Sequence, residues 1–255
     1  MIDLDANNQE REKIVRDMEA ERYDEWYLTK GILYDLVEKK NILDVLNLQP
    51  NDVVLDAGCG TGRFTTIIAR KCKMVYAVDF SMKSIEVLNK KLLKEKIYNV
   101  KTIISDITRP LPIKNEKFDK IVSIQVIQHI PTLEKRYSTL KNLYNLLKPE
   151  GVCVVTVYNW NKFFEAKGFL KEGKFSNGLY YFRFTKEEIE KLFKNCGFKD
   201  IEVRGIVNFK WYFLLNQLGI YRLFYPIALL DTFLSKFEIS KIFGEYLICK
   251  GIKKG

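Results

Sequence analysis

Apolar and polar positions divide the chain into distinct textures. From about Glu10 to Asn47, apolar residues such as Ile14, Met18, Leu33, Leu36 and Val37 recur at three- and four-residue steps, which predicts helix and marks residues 1–50 as a helical cap. From Asp52 the period shortens. Short β-branched runs alternate with lysine-rich helical stretches, the pattern of a parallel sheet built from βαβ units. Strands are predicted at Val53 to Leu55, Met74 to Val78, Val100 to Ile104, Lys120 to Ile124 and Val152 to Tyr158. Helices from Thr65 to Lys71, Ser81 to Glu95 and Leu133 to Leu147 lie between them, the last stopped by Lys148, Pro149 and Gly151.

Beyond Tyr158 the pattern loosens. Residues 159–182 are aromatic and lysine-rich without a clean period, an irregular insertion at the carboxyl end of the fifth strand. Thr185 followed by Glu188 is a capping box that opens a helix with Ile189, Leu192 and Phe193 on one side and Gly197 as its stop. Ile201 to Val203 and Tyr246 to Cys249 are the last two strands. Between them, residues 206–243 are too long and too rich in Trp, Tyr, Phe and Leu for a simple hairpin. Asn216, Gln217, Arg222, Pro226 and Asp231 interrupt that run, which argues against a membrane-spanning helix. A lid around a hydrophobic acceptor, an interfacial helix pair meeting lipid, and extra core all fit it. Residues 51–255 thus read as one α/β domain carrying two insertions.

Composition removes several classes of function. The five cysteines are odd in number, scattered and without a C-x-x-C pair, so disulfide frameworks and zinc ribbons drop out. His129 is the single histidine, which excludes multi-histidine metal sites, and no metal is expected. The opening stretch is polar and acidic with no apolar core, unlike a secretory signal or an anchor, and predicts a cytoplasmic protein. A formal charge of +10 favours anionic partners, nucleic acid and acidic membrane surfaces included, although lysines mixed with glutamates along helices also suit a well-solvated surface.

The chemistry concentrates in VVLDAGCGTGRF, where a buried strand runs through an acid into glycines at 58, 60 and 62 and then into a helix. Glycine serves where the backbone turns with positive φ or a ligand comes closer than a Cβ allows. A dinucleotide fingerprint places its third glycine at the sixth position, here Arg63, so a pyrophosphate seat is disfavoured. The run resembles motif I of class I methyltransferases, and further landmarks follow in the family's order: Asp79 ending the second strand, ISDITRPLP, FDKIVSIQVIQHIP and LKPEGVCVVTVYN. The pattern is most similar to the type-11 group, which includes quinone, sterol and small-molecule enzymes and some that modify tRNA.

That resemblance implies a Rossmann-like, doubly wound, seven-stranded, mostly parallel sheet with an N-terminal helical cap and an aromatic-rich helical insertion before the last strand. It implies S-adenosylmethionine as cofactor. Gly58, Cys59, Gly60 and Gly62 would meet the amino-acid end of that molecule, with Asp56 holding the turn or the methionine ammonium, or serving structure alone. Asp79 would accept from the ribose hydroxyls, an ionised carboxylate having lone pairs for both. Phe80 and Met82 would border the adenine, Asp106 would meet its amine with Ile107 against the ring, and Gln125 would lie near the methionine moiety.

Methyl transfer from a sulfonium is an in-line displacement, so the protein must align donor and acceptor, exclude water and, for an oxygen acid, remove a proton. His129 is the candidate general base, a lone imidazole in an apolar run that equally suits a structural role. Tyr158, at the end of the fifth strand, is a candidate for positioning. Tyr23, Trp26 and Tyr27 share a helical face that suits a lid over the cofactor or plain core. Three functions stay open: methylation of a small, lipophilic acceptor such as a quinone, isoprenoid or lipid-linked sugar, methylation of RNA, and cofactor binding without catalysis.

Overall fold

The computed structural model describes residues 4–113, 117–207, 218 and 225–255. Three helices open the chain: α1 (Leu4–Glu19), α2 (Tyr23–Thr29) and α3 (Ile32–Leu46). The single helical stretch expected from Glu10 to Asn47 is therefore broken twice. At the second break Gly31 lies against the Trp26 ring so closely that a Cβ would come within 2.2 Å of it.

The βαβ region follows the expected order: β1 (Val53–Ala57), α4 (Thr65–Ala69), β2 (Met74–Asp79), α5 (Met82–Lys94), β3 (Val100–Ile104), β4 (Phe118–Ile124), α6 (Leu133–Leu146) and β5 (Leu147–Tyr158). After β5 come α7 (Lys162–Ala166), a small hairpin of β6 (Glu172–Lys174) and β7 (Tyr180–Phe182), α8 (Lys186–Cys196) and β8 (Lys199–Ile206). The chain closes with α9 (Tyr225–Leu234), α10 (Ser240–Phe243) and β9 (Tyr246–Ile252).

The main sheet has seven strands in the order β3-β2-β1-β4-β5-β9-β8. Pairings from β3 through β5 are parallel, and β9 runs antiparallel to both β5 and β8. Strand order reverses between β1 and β4, the switch point at which open α/β sheets leave a crevice beyond the strands' carboxyl ends.

Alternation along each strand builds a core on both faces. Val54, Val75, Ala77, Val122 and Ile248 pack with α3, α4 and α5, while Leu55, Val78, Ile121, Cys153 and Leu247 pack with α6 and α8. Thr185 and Glu188 form the capping box of α8, and Gly197 ends it at φ 104°.

Two boundaries depart from expectation. β5 begins at Leu147 because Leu147 pairs with Phe118 before the chain bulges and resumes pairing at Val152. Lys148 on that bulge reaches Asp119 at 2.9 Å. The stretch 159–182, expected to be irregular, contains α7 and the β6-β7 hairpin, whose three-residue strands are too short to show a period. Of the aromatic run 206–243, residues 208–217 and 219–224 lie outside the described residues.

Candidate active site

At the β1/β4 switch point lies a roofed cavity, partly open to solvent. Its floor comes from the carboxyl ends of β1, β2 and β4, and its roof from α1 and the start of α2.

The glycine turn divides its labour. Gly58 and Gly62 both have positive φ, and a Cβ on either would strike a neighbour, Val126 at 2.4 Å or Leu88 at 2.2 Å. These two let helix and loop pack tightly. Gly60, at φ +53°, has no atom within 4 Å of its Cβ direction and borders the cavity, as Gly58 and Cys59 do. Gly62 is not on the cavity wall.

Asp79 ends β2 and faces the cavity. One carboxylate oxygen accepts from Gly60 N at 2.8 Å and the other from Ser81 N at 2.9 Å, which locks the turn to the start of α5. Each oxygen retains a lone pair for a ligand hydroxyl. Burial pushes the Asp79 pKa up, and the two backbone donors oppose that shift. Asp56 accepts from Thr65 Oγ1 at 2.6 Å, joining β1 to the first turn of α4. Burial lifts its pKa to about 7 despite that hydrogen bond.

Asp106 lies on the far wall, accepting from Thr108 N and Oγ1, each at 2.8 Å, and from Gln9 of the roof. Phe80, Ile107 and Gln125 also line the cavity. Gln125 follows β4 at φ 56° and donates through Nε2 to Glu38. Met82, expected beside the adenine, is instead 51% exposed and off the cavity wall, because it is the first residue of α5 and points away from the crevice.

His129 stands at the opposite end from Asp106, buried yet lining the cavity. Its Nδ1 is 2.7 Å from the Tyr180 carbonyl in β7. A carbonyl only accepts, so Nδ1 carries the hydrogen and Nε2 is left as the acceptor. Burial pushes the imidazole pKa down, which favours the neutral ring. Tyr158 does not line the cavity; its ring stands behind His129, edge to face at 5.8 Å, and burial raises its phenol to about 12.

Besides Tyr23 and Tyr27 of the aromatic face read from the sequence, the cap contributes residues that the sequence did not single out. On α1, Glu12 and Arg16 pair at 3.1 Å on the cavity wall, and Asp17 accepts from Ser81 Oγ at 2.6 Å. On α2, Tyr23 lines the cavity, Asp24 accepts from Thr61 Oγ1 at 2.8 Å, and Tyr27 lies under the Arg63 guanidinium at 3.9 Å. On α3, Asp35 and Glu38 hold Arg63 at 2.9 and 2.8 Å. Arg63, which spoils the dinucleotide spacing, is thus the clamp between cap and glycine turn. One signal was available: Glu38 and Asn41 are polar positions on the buried side of α3, and such positions require partners. Among the described residues no cluster of three or more His, Cys, Asp or Glu could hold a metal ion.

A crevice at the switch point, a glycine turn beneath it and an acid at the end of the neighbouring strand define a Rossmann-like, nucleoside-binding class of site. Residues 48–197 match the family model described as a methyltransferase domain, and the chain belongs to that family. A probable cobalt-precorrin-6B C(15)-methyltransferase of Methanocaldococcus jannaschii is 48% identical over 58 residues, covering 23% of this chain and 32% of that protein. Demethylmenaquinone methyltransferase of Geobacillus stearothermophilus is 24% identical over 198 residues, covering 65% of this chain and 79% of its own. The chain spans a third to a half of the length of the cobalt-precorrin relatives it matches. Among solved structures, a SAM-dependent methyltransferase of Thermotoga maritima, described as a possible histamine N-methyltransferase, shares the fold with a TM-score of 0.62 at 19% identity, covering 93% of this chain and 98% of that one.

Proposed function

We propose that this chain transfers a methyl group from S-adenosylmethionine to a small acceptor, with residues 51–255 as the catalytic domain and residues 1–50 as its cap. The observation that carries this reading is the meeting of Gly60, Asp79 and His129 in one roofed cavity.

The residues present suit the cofactor. Gly60 offers bare backbone, Asp79 retains acceptor capacity for ribose hydroxyls, and Asp106 with Ile107 and Phe80 offers a carboxylate beside apolar surface for a heteroaromatic amine. Bound there, S-adenosylmethionine supplies an electrophilic methyl group on a sulfonium.

The chain's own work is positioning and proton management. The α1 roof keeps water from the reacting atoms, and His129 Nε2 takes the proton from an acceptor O–H or N–H as that atom gains its methyl group. Tyr180 is a positioning residue that acts through the His129 tautomer. Tyr158, packed on the imidazole, limits its rotation. A place in the cytoplasm suits a chain whose described helices are none long and apolar enough to cross a membrane.

Calorimetry with S-adenosylmethionine and S-adenosylhomocysteine, with NAD as control, tests the reading on wild type and Asp79→Ala. Both sulfur compounds should bind the wild type, and the variant should lose about tenfold or more in affinity, as expected for a charge-assisted contact. Preference for NAD, or equal binding by a folded Asp79→Ala, would refute it.

A further inference from the structure

The helices before the last strand are built inside out. The side of α9 that lies on α3 carries Ala228, Asp231 and Thr232, and the turn after it buries Ser235. Ser235 Oγ lies 2.5 Å from Asn41 Oδ1 of α3 and 2.7 Å from the Thr232 carbonyl, its single hydrogen shared between the two acceptors. Ser240 continues the pattern in α10, donating to the Phe237 carbonyl at 2.7 Å and accepting from Gly205 N of β8 at 3.1 Å. The large apolar side chains point the other way: Leu229, Leu230, Phe233, Phe237, Ile242 and Phe243 are each 45–57% exposed. A water-facing helix has the reverse arrangement, and contiguous exposed apolar surface of this kind marks an interaction site.

This face continues across α7, which packs against α10 and exposes Phe163, with Phe169 and Leu170 just beyond it. Lysines are interleaved with the apolar residues. Lys162, Lys167 and Lys236 are exposed, and Lys186 and Lys241 both reach Glu238. The exposed lysines of this face stand against Glu165, while Lys186 and Lys241 are already paired with Glu238 and Lys186 also with Glu190. Asn159, the residue after β5, donates to the carbonyls of Lys241 and Gly244 at 2.9 and 2.8 Å, so the face hangs from the edge of the sheet that also carries Tyr158 and the cavity.

We propose that the outer face of α9 and α10, with the neighbouring α7 strip, docks on an anionic lipid bilayer. Charge decides for this occupant over a second copy of the chain. Isologous pairing would press the exposed Lys162, Lys167 and Lys236 against their own copies, whereas acidic headgroups neutralise these three while apolar side chains enter the acyl boundary. Nucleic acid would leave the apolar side chains uncovered. Docking would turn the catalytic edge of the sheet toward the bilayer, and it stands or falls independently of the methyl-transfer reading.

The test is co-sedimentation of the full chain with vesicles of phosphatidylcholine alone or mixed with phosphatidylglycerol. Binding is expected to the mixed vesicles and to weaken with salt. Leu230→Ser with Phe233→Ser, both at exposed positions, should cut it at least about tenfold with an unchanged melting temperature. Lys162→Glu with Lys236→Glu should weaken binding to mixed vesicles only. No binding by wild type, full binding by the serine variant, or a dimer in sedimentation velocity that the serine variant dissociates would each overturn the proposal.

Discussion

Replacing Gly60 or Gly62 by alanine separates ligand binding from packing within one short turn. Both backbones have positive φ, +53° and +82°, and an L-residue in the left-handed region costs about 1–2 kcal/mol. For Gly60→Ala that is the whole stability cost, because no atom lies within 4 Å of the new methyl group. At about 2–4 °C per kcal/mol for a chain of this size, its melting temperature should fall by about 2–8 °C. Gly62→Ala also drives a methyl group to 2.2 Å from Leu88 Cδ1. Leu88 is fully buried and cannot swing clear, so overpacking adds about 1–3 kcal/mol and the drop should be roughly twice as large. Binding should respond in the opposite order. The Gly60→Ala methyl group stands in the donor's seat and should weaken S-adenosylhomocysteine by about tenfold or more, while folded Gly62→Ala should bind nearly as wild type. Thermal melts and calorimetry on the same samples decide it. A Gly60→Ala protein with wild-type affinity, or a Gly62→Ala protein that melts normally but does not bind, would refute the division of roles.

His129→Gln should lower kcat by about 10²–10⁴ for an oxygen acceptor and leave S-adenosylhomocysteine affinity intact; an unchanged kcat would remove His129 from proton transfer. Because burial depresses the His129 pKa, wild-type kcat should be flat from neutral pH upward and fall only below the ordinary imidazole value of about 6.5, so an acid limb centred above that value would contradict the assignment. Asp56 keeps its proton up to about pH 7 when folded and only to about 3.9 when unfolded. The stability this contributes is present below the lower value and is lost as pH rises through the upper one. Asp56→Asn cannot ionise and still accepts from Thr65, so its stability relative to wild type should rise between pH 4 and 8 by on the order of a few kcal/mol, read as the difference between urea denaturation curves at the two ends.

The sheet was legible because its signal is repetitive. Every strand from β1 to β5 is a β-branched run closed by a turn or cap, and β3 matches its expected bounds. That Asp56, Gly58, Gly60 and Asp79 share one cavity was legible because they sit at strand ends, where topology alone brings them together. Two kinds of information were not local enough to read. The breaks in the cap come from tertiary packing, such as Trp26 on Gly31, and helical periodicity runs through them. The partners of Arg63 come from α2 and α3, 25 or more residues earlier in the chain, and those of His129 from a hairpin about 50 residues later. Met82 fails for a simpler reason: the Ser81 N-cap sets the phase of α5 so that its first residue faces solvent.

The roof of the cavity is fastened to the same atoms that hold its floor. Asp17 of α1 takes the Ser81 hydroxyl, Ser81 N is held by Asp79, and Asp79 holds Gly60 N, so one relay of hydrogen bonds runs from cap to glycine turn. A ligand that steadies Asp79 therefore steadies the roof, and by reciprocity a closed roof tightens the ligand by the same factor. Affinity and access become a single quantity. If α1 lifts to let the spent donor leave, the lifetime of the latched state would set that donor's residence time, and Asp17→Ala, which breaks the relay, should shorten it.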